Sequence, residues 1–175
     1  ANVARDKGTN RKQFFEGFAD KYTWQDRGGS YQLGEILAGI LYGQLNEYQE
    51  IQKSRVSVWE SYFLSLTQWA HKNDIKLPYV PEGNTNIAHI FYLEMPTEKT
   101  RIDFIGHMER KGVDVRFHFQ ALDTSPGWRK YGKTPFDCPV SQKVATTLIR
   151  LPLWYGMPEA DVSRIIDACV DFRFN

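Results

Sequence analysis

The chain has 175 residues, 42% of them hydrophobic and 25% charged, with a formal net charge of +1. That length supports one domain with a packed core, and the composition is ordinary for a globular fold. The near-neutral balance leaves no footprint for nucleic acid or an anionic membrane surface, and no apolar run approaches the ~20 residues that span a bilayer.

Cys138 and Cys169 are far apart and lack CxxC spacing, which argues against a zinc site or a disulfide framework. Free thiols in a reducing cytoplasm are the expectation. The opening ANVARDKGTN is polar, has no initiator Met and lacks the pattern of a secretory leader. Residues 1–8 read as the end of a helix closed by Gly8, so the chain is expected to begin inside a larger protein.

Residues 9–33 have no sustained period, apart from a short helical turn expected at 11–15. A loop this long inside a domain is usually functional. The Gly28-Gly29 pair is expected to take positive φ and turn the backbone sharply. From Gly34 to His71 no proline interrupts. Leu33, Ile36, Leu37, Ile40, Leu41, Leu45, Tyr48, Ile51, Trp59, Tyr62, Phe63, Leu66 and Trp69 recur at spacings of three and four, which predicts one apolar helix face. The pattern weakens over 52–57, where a bend or a break between two helices is expected. Gly39 and Gly43 lie one turn apart, and each weakens a helix by about 1 kcal/mol against Ala, so another backbone is expected to approach there.

Residues 87–95 are dense in β-branched and aromatic side chains and read as a strand, with His89 a core residue. A helix follows over 97–111, capped by Thr97, with Ile102, Ile105 and Met108 as its face and Gly112 closing it. Residues 113–120 alternate, placing Val113, Val115, Phe117 and Phe119 on one side and Asp114, Arg116, His118 and Gln120 on the other. The polar side faces solvent or a ligand. A loop over 122–138, a helix over 140–149, a brief strand over 151–155 and a last helix from Pro158 to about Val170 complete the chain. The order is that of an α/β sandwich with a small sheet. Three segments are expected: a loop over 1–33, a long bridging helix over 34–73 and a small α/β domain over 74–175.

No nucleophile and base stand at a recognisable spacing, and none of the four histidines pairs with another at metal-ligand spacing, so no catalytic and no metal residue is named. His118 is either a donor to a ligand or a plain surface histidine.

Two stretches carry a resemblance. Residues 8–45 read GTNRKQFFEGFADKYTWQDRGGSYQLGEILAGILYGQL, and residues 148–166 read LIRLPLWYGMPEADVSRII. The first resembles the sugar-nucleotide aminotransferases of the DegT/DnrJ/EryC1/StrS family through its GTNR, QFF, DKYTW and final SY. The second is similar to that family's closing LPL strand and last helix. The resemblance implies the small, C-terminal domain of a fold-type-I transferase that uses pyridoxal 5'-phosphate. It also implies a homodimer or larger homo-oligomer with the site at the subunit interface. The substrates implied are glutamate and a nucleotide-linked 4-keto-6-deoxyhexose, and the role is biosynthesis of polysaccharide sugars.

On the family's pattern, Gln32 and Tyr31 would meet the partner's cofactor phosphate. Asn10, Arg11, Lys21, Tyr22 and Trp24 would contact the sugar nucleotide, with His118 near the reacting ring. The lysine that anchors the cofactor belongs to the large domain, and no stretch here matches its motif. Where the family often reads H-Y-x-P-L-H, this chain has His118-Phe119-Gln120-Ala121-Leu122-Asp123. It keeps the first His and places Asp123 at the second. The alternatives are a non-catalytic sugar-nucleotide-binding or dimerisation module, and a sugar dehydratase of the same family.

Overall fold

The structure, a computed structural model, describes residues 1–21, 23–133 and 136–174. It divides into two compact units, Ala1–Tyr48 and Gln49–Asn175.

The first unit carries three helices: α1 (Asn2–Arg5), α2 (Arg11–Phe15) and α3 (Glu35–Asn46). The turn expected at 11–15 is α2. Gly34 is the extended N-cap of α3, and Glu35 lies in its first turn, where a carboxylate suits the helix dipole. The apolar pattern of α3 is real but buries nothing: Ile36, Leu37, Ile40, Leu41 and Leu45 are all exposed. Gly39 and Gly43 face open space, so the close backbone approach expected there is not made among the described residues.

The second unit opens with all but the first residue of α4 (Tyr48–Lys72), which is unbroken. The interruption of the helical run falls at Glu47, the C-cap of α3, and not within 52–57. Gln52, Lys53 and Arg55 in that stretch are good helix formers. Two of the polar residues there also have partners: Arg55 donates to the His89 carbonyl at 2.8 Å, and Ser54 Oγ accepts from the Gly156 amide at 3.1 Å. His89 is therefore a surface residue whose backbone is used, and not the core residue expected.

Three strands, β1 (Phe91–Glu94), β2 (Arg116–Phe117) and β3 (Leu148–Leu151), form an antiparallel sheet in the order β1-β3-β2. Between β1 and β2 runs α5 (Glu98–Arg110), where the Thr97 hydroxyl accepts from the Thr100 amide at 3.0 Å as the expected cap. Its buried face is Phe104 and Met108, whereas Ile102 points to solvent. β2 is far shorter than the alternating run over 113–120. Its partner β3 issues directly from α7 (Pro139–Thr147), leaving no strand beyond Leu148 to pair with. Val113 and Val115 are buried as expected, but Phe117 and Phe119 are exposed. β3 starts three residues earlier than the sequence pattern indicates and stops at Pro152, which has no N–H for a ladder. The presumed loop over 122–138 contains a 3-10 turn (Leu122–Thr124) and α6 (Pro126–Tyr131), and the chain ends with α8 (Glu159–Val170).

The core belongs to the second unit. Val58, Trp59, Tyr62, Leu66 and Ala70 on one face of α4 join Phe91 and Leu93 of β1, Ile149 and Leu151 of β3, Phe104 and Met108 of α5, and Ile165 and Cys169 of α8. Each of the Val, Leu, Ile, Phe and Met side chains among them stabilises the fold by roughly 1.5–3 kcal/mol when fully buried. The Tyr62 hydroxyl donates to the Pro152 carbonyl at 2.9 Å, which satisfies both groups, and burial pushes its phenol up from the ordinary value. Both cysteines are free, Cys169 buried and Cys138 half-buried. No helix among the described residues is long and apolar enough to cross a membrane.

Candidate functional site

The loop of the first unit is built from backbone and one carboxylate. Lys7 and Gly8 have φ of 60° and 75°, which reverses the chain after α1. The returning segment then lies against residues 4–10. The Lys7 amide donates to the Gly29 carbonyl at 3.0 Å, the Gly29 amide to Ala4 at 2.9 Å and the Tyr31 amide to Arg5 at 3.2 Å. Gly28 and Gly29 do not take the positive φ expected of them. They are needed for space. A Cβ on Gly28 would lie 2.1 Å from the Gly8 nitrogen, and one on Gly29 would lie 2.6 Å from the Tyr31 ring.

Asp6 is the hub, and sequence reasoning passed over it. It is 5% exposed. It pairs with the Arg5 guanidinium at 3.2 Å and accepts from the Gln32 side-chain amide. The Arg5 hydrogen bond holds its carboxyl below the usual range against the opposing effect of burial, with help from Gln32 and Arg11. Arg5, Asp6, Lys7, Arg11, Ser30 and Gln32 line one small cleft. Three cations and one carboxylate line it, so the cleft is electropositive, but its space of about 10 Å³ holds no more than a water. An acidic residue flanked by Arg5 and Lys7 was the available signal, but nothing in the sequence showed that the loop would close over it.

Of the residues singled out from sequence, Gln32 and Arg11 meet in this cleft. Arg11 also lies over the Phe15 ring at 5.4 Å. Asn10 is occupied: its amide donates to the Lys21 carbonyl at 2.9 Å and accepts from the Thr23 amide at 2.7 Å. It shapes the loop that presents Lys21 and Trp24, both exposed, while Tyr31 exposes most of its ring. Tyr22 lies outside the described residues.

His118 stands in the second unit, just past β2, at the meeting of three clefts. One, of about 530 Å³, is walled by Gln120, Asp123, Trp128 and Ser141. Its polar groups include the His118 Nδ1 and the Trp128 indole N–H, both buried without a hydrogen-bond partner among the described residues. Asp123 accepts from the Gln142 amide at 2.6 Å, which fixes its carboxylate at the wall. Trp128 and α6 were missed, although the pair Ser125-Pro126 is a start signal: the Ser125 hydroxyl caps the Trp128 amide at 3.1 Å and Pro126 occupies the first turn.

Comparison with known proteins gives the fold its class first. S. venezuelae DesV superposes with a TM-score of 0.81 at 20% identity, over 97% of this chain and 42% of that one. The sugar aminotransferase CalS13 from Micromonospora echinospora gives a TM-score of 0.77 at 17% identity, over 95% and 42%. At these identities the likeness is one of fold. The DegT/DnrJ/EryC1/StrS aminotransferase family matches residues 2–170, and the chain belongs to that family. A curated relative, the dTDP-3-amino-3,4,6-trideoxy-alpha-D-glucose transaminase of Micromonospora megalomicea subsp. nigra, is 25% identical over 150 residues, 84% of this chain and 39% of its own. The chain thus spans about two fifths of the length of the relatives it matches.

Proposed function

We propose that this chain is the small-domain, C-terminal part of a pyridoxal-phosphate-dependent aminotransferase. The enzyme would move the amino group of glutamate to a nucleotide-linked 4-keto-6-deoxyhexose in the making of polysaccharide sugars, working as a homodimer in the cytoplasm. The resemblance of residues 8–45 points to the activity of a dTDP-4-amino-4,6-dideoxygalactose transaminase, whereas the curated relative at 25% identity is a dTDP-3-amino-3,4,6-trideoxy-alpha-D-glucose transaminase. The family match over 2–170 carries the reading. The cationic cleft around Gln32 supports it.

The residues at the rim of this cleft carry the donor chemistry for the phosphate end of the cofactor, while the cleft itself, at about 10 Å³, has room for no more than a water. The Gln32 amide has two N–H donors, and one of them is engaged by Asp6. The second is left for a phosphate oxygen, with Tyr31 adjacent in sequence and the charges of Arg5, Lys7 and Arg11 around it. Pyridoxal phosphate, when bound, supplies the electron sink for the exchange of the amine. This chain's own part is to hold and orient. Arg11 and Lys21 are cationic donors for a diphosphate, Trp24 offers an exposed ring, and Asn10 keeps their loop in shape. His118 presents an imidazole to the sugar from a cleft that Asp123 makes acceptor-rich.

The test is amino transfer from glutamate to a dTDP-4-keto-6-deoxyhexose. The 175-residue chain alone is expected to show none, and turnover is expected when the large domain of the same enzyme is supplied, fused or as a separate chain. In that complete form Gln32→Ala should weaken cofactor retention and Lys99→Ala should not. Turnover by the isolated chain, lost on changing one of its own lysines, would overturn the proposal.

A further inference from the structure

The second unit has a cleft of about 630 Å³ that the aminotransferase reading leaves unassigned. Its polar lining is Glu98 and Arg101 from α5, Gln142 and Thr146 from α7, and His118 and Thr124 from the stretch between β2 and α6. Arg101 has given up most of its water, since its side chain is 15% exposed. In exchange it has one weak ion pair, to Glu98 at 3.8 Å, and Glu98 is itself mostly exposed. The Arg101 Nε is buried with no hydrogen-bond partner among the described residues, and so is the His118 Nδ1. A guanidinium taken out of water without acceptors is costly. Two such groups lining one cleft mark a place that lacks an acceptor. The threonines are the converse. The Thr124 hydroxyl donates to the Ala121 carbonyl at 3.0 Å, and the Thr146 hydroxyl donates to the Lys143 carbonyl at 2.9 Å. With those protons committed, both oxygens are left to accept.

We propose that this cleft binds a small hydroxycarboxylic acid, its carboxylate held by Arg101 and His118 and its hydroxyl donating to a threonine oxygen. A carboxylate supplies the acceptors that the guanidinium and the Nδ1–H tautomer of His118 lack, in charge-assisted hydrogen bonds. One arginine with the Glu98 carboxylate at the rim leaves no net charge in the cleft, which suits a single negative charge better than a phosphate dianion. The alanines at 121 and 145 wall the rest and suit a short carbon body. The site stands on this cleft alone and does not depend on the reaction proposed above.

Titration of the 175-residue chain with lactate, followed by heteronuclear NMR, tests it. Propionate serves as the same acid without the hydroxyl, and inorganic phosphate as the dianion. Lactate should shift the Arg101 Nε–Hε resonance and the His118 ring nitrogens. It should bind several-fold more tightly than propionate, and phosphate should bind most weakly. Arg101→Gln should weaken lactate by about tenfold or more, as the loss of a charge-assisted hydrogen bond implies. Glu98→Gln should tighten both acids, because the rim carboxylate no longer repels them or competes for Arg101, and misfolding cannot mimic that gain. Thr124→Val with Thr146→Val, isosteric changes at exposed positions, should bring lactate down to the affinity of propionate. Lactate binding that is indifferent to Arg101→Gln, or that leaves the Arg101 resonance unmoved, would overturn the site. Propionate binding as tightly as lactate would overturn the hydroxy-acid assignment, and phosphate binding more tightly than either would overturn the carboxylate. No arm reads amino transfer, so failure of the aminotransferase reading would leave this site standing.

Discussion

The two units of this chain are ordered by different forces. The second, Gln49–Asn175, holds the buried hydrophobic side chains found among the described residues, including Tyr62, Leu66, Phe91, Phe104 and Ile149 at or near zero exposure. The first, Ala1–Tyr48, buries Asp6, Gly8, Thr9 and Asn10, while Phe15, Phe18, Trp24 and Tyr31 point outward. One unit is held by apolar burial and the other by backbone hydrogen bonds tied to a carboxylate. A loop ordered in that way can keep its rings and cations available for binding, since its own fold does not need them buried. The same design makes it the weaker of the two.

Core truncation should separate the units most sharply. Phe91→Ala removes a ring that packs against Trp59 and Tyr62 at centroid distances of 5.4 and 5.2 Å. It should destabilise the second unit by about 3–5 kcal/mol in denaturant unfolding. Phe18→Ala, at an exposed position of the first unit, should stay within about 0.5 kcal/mol. Comparable losses from the two changes would erase the contrast.

The first unit should fail instead through its glycines. In Gly28→Ala the new Cβ meets backbone, the Gly8 nitrogen at 2.1 Å and the Ala4 carbonyl oxygen at 2.8 Å, so no side chain can move aside. A local loss on the order of 1–3 kcal/mol is expected, typical of forced backbone strain. Hydrogen exchange at the Lys7 and Gly29 amides should accelerate while the amides of β1 and β3 keep their protection. Unchanged protection of Lys7 and Gly29 would show that the close approach is not required.

The second unit was the more legible in the sequence because periodic apolar patterns are produced by the burial they report. Thr97 as a cap, the helix from Pro158 onward and the burial of Val113 and Val115 just before β2 follow from local chemistry. The ends of β2 and β3 do not, since they depend on where α7 delivers the chain, a tertiary fact. In α3 the same periodic signal marked a face that stays open, because period alone does not name the surface that covers it. The Asp6 hub was invisible for the opposite reason. Its partners Arg5 and Gln32 are 1 and 26 residues away, and only the folded loop brings them together.

That open face gives the next test. Ile36, Leu37, Ile40, Leu41 and Leu45 are all exposed along α3. Contiguous apolar surface of this kind promotes association, and a homodimer is part of the proposed function. Sedimentation at high micromolar concentration should therefore show an oligomer. The double change Ile36→Glu with Ile40→Glu should weaken it at least about tenfold, roughly 1.4 kcal/mol. A clean monomer for the unaltered chain would break the expectation outright.

The smallest effect should come from acid. The carboxyl of Asp6 is held below its ordinary value, first by the Arg5 hydrogen bond. A group whose pKa is depressed by folding contributes stability above its unfolded pKa, and that contribution is lost as pH falls through the folded value. The loop of the first unit should thus be indifferent to pH from neutrality down to the ordinary carboxylate range, about 4. It should loosen only below that range, as Arg5 and Gln32 lose their acceptor. Asp171 is likewise depressed, by Lys111, but that pair lies on the surface of the second unit, where exposed ion pairs contribute little. Exchange rates at the Thr9 and Tyr31 amides, followed from pH 6 to 3, would resolve the two units. Asp6→Asn should flatten the acid response of these amides and leave the rates in β1 and β3 unaltered. An acid response that survives Asp6→Asn would mean that some other group closes the loop, and the carboxylate would no longer distinguish the first unit from the second.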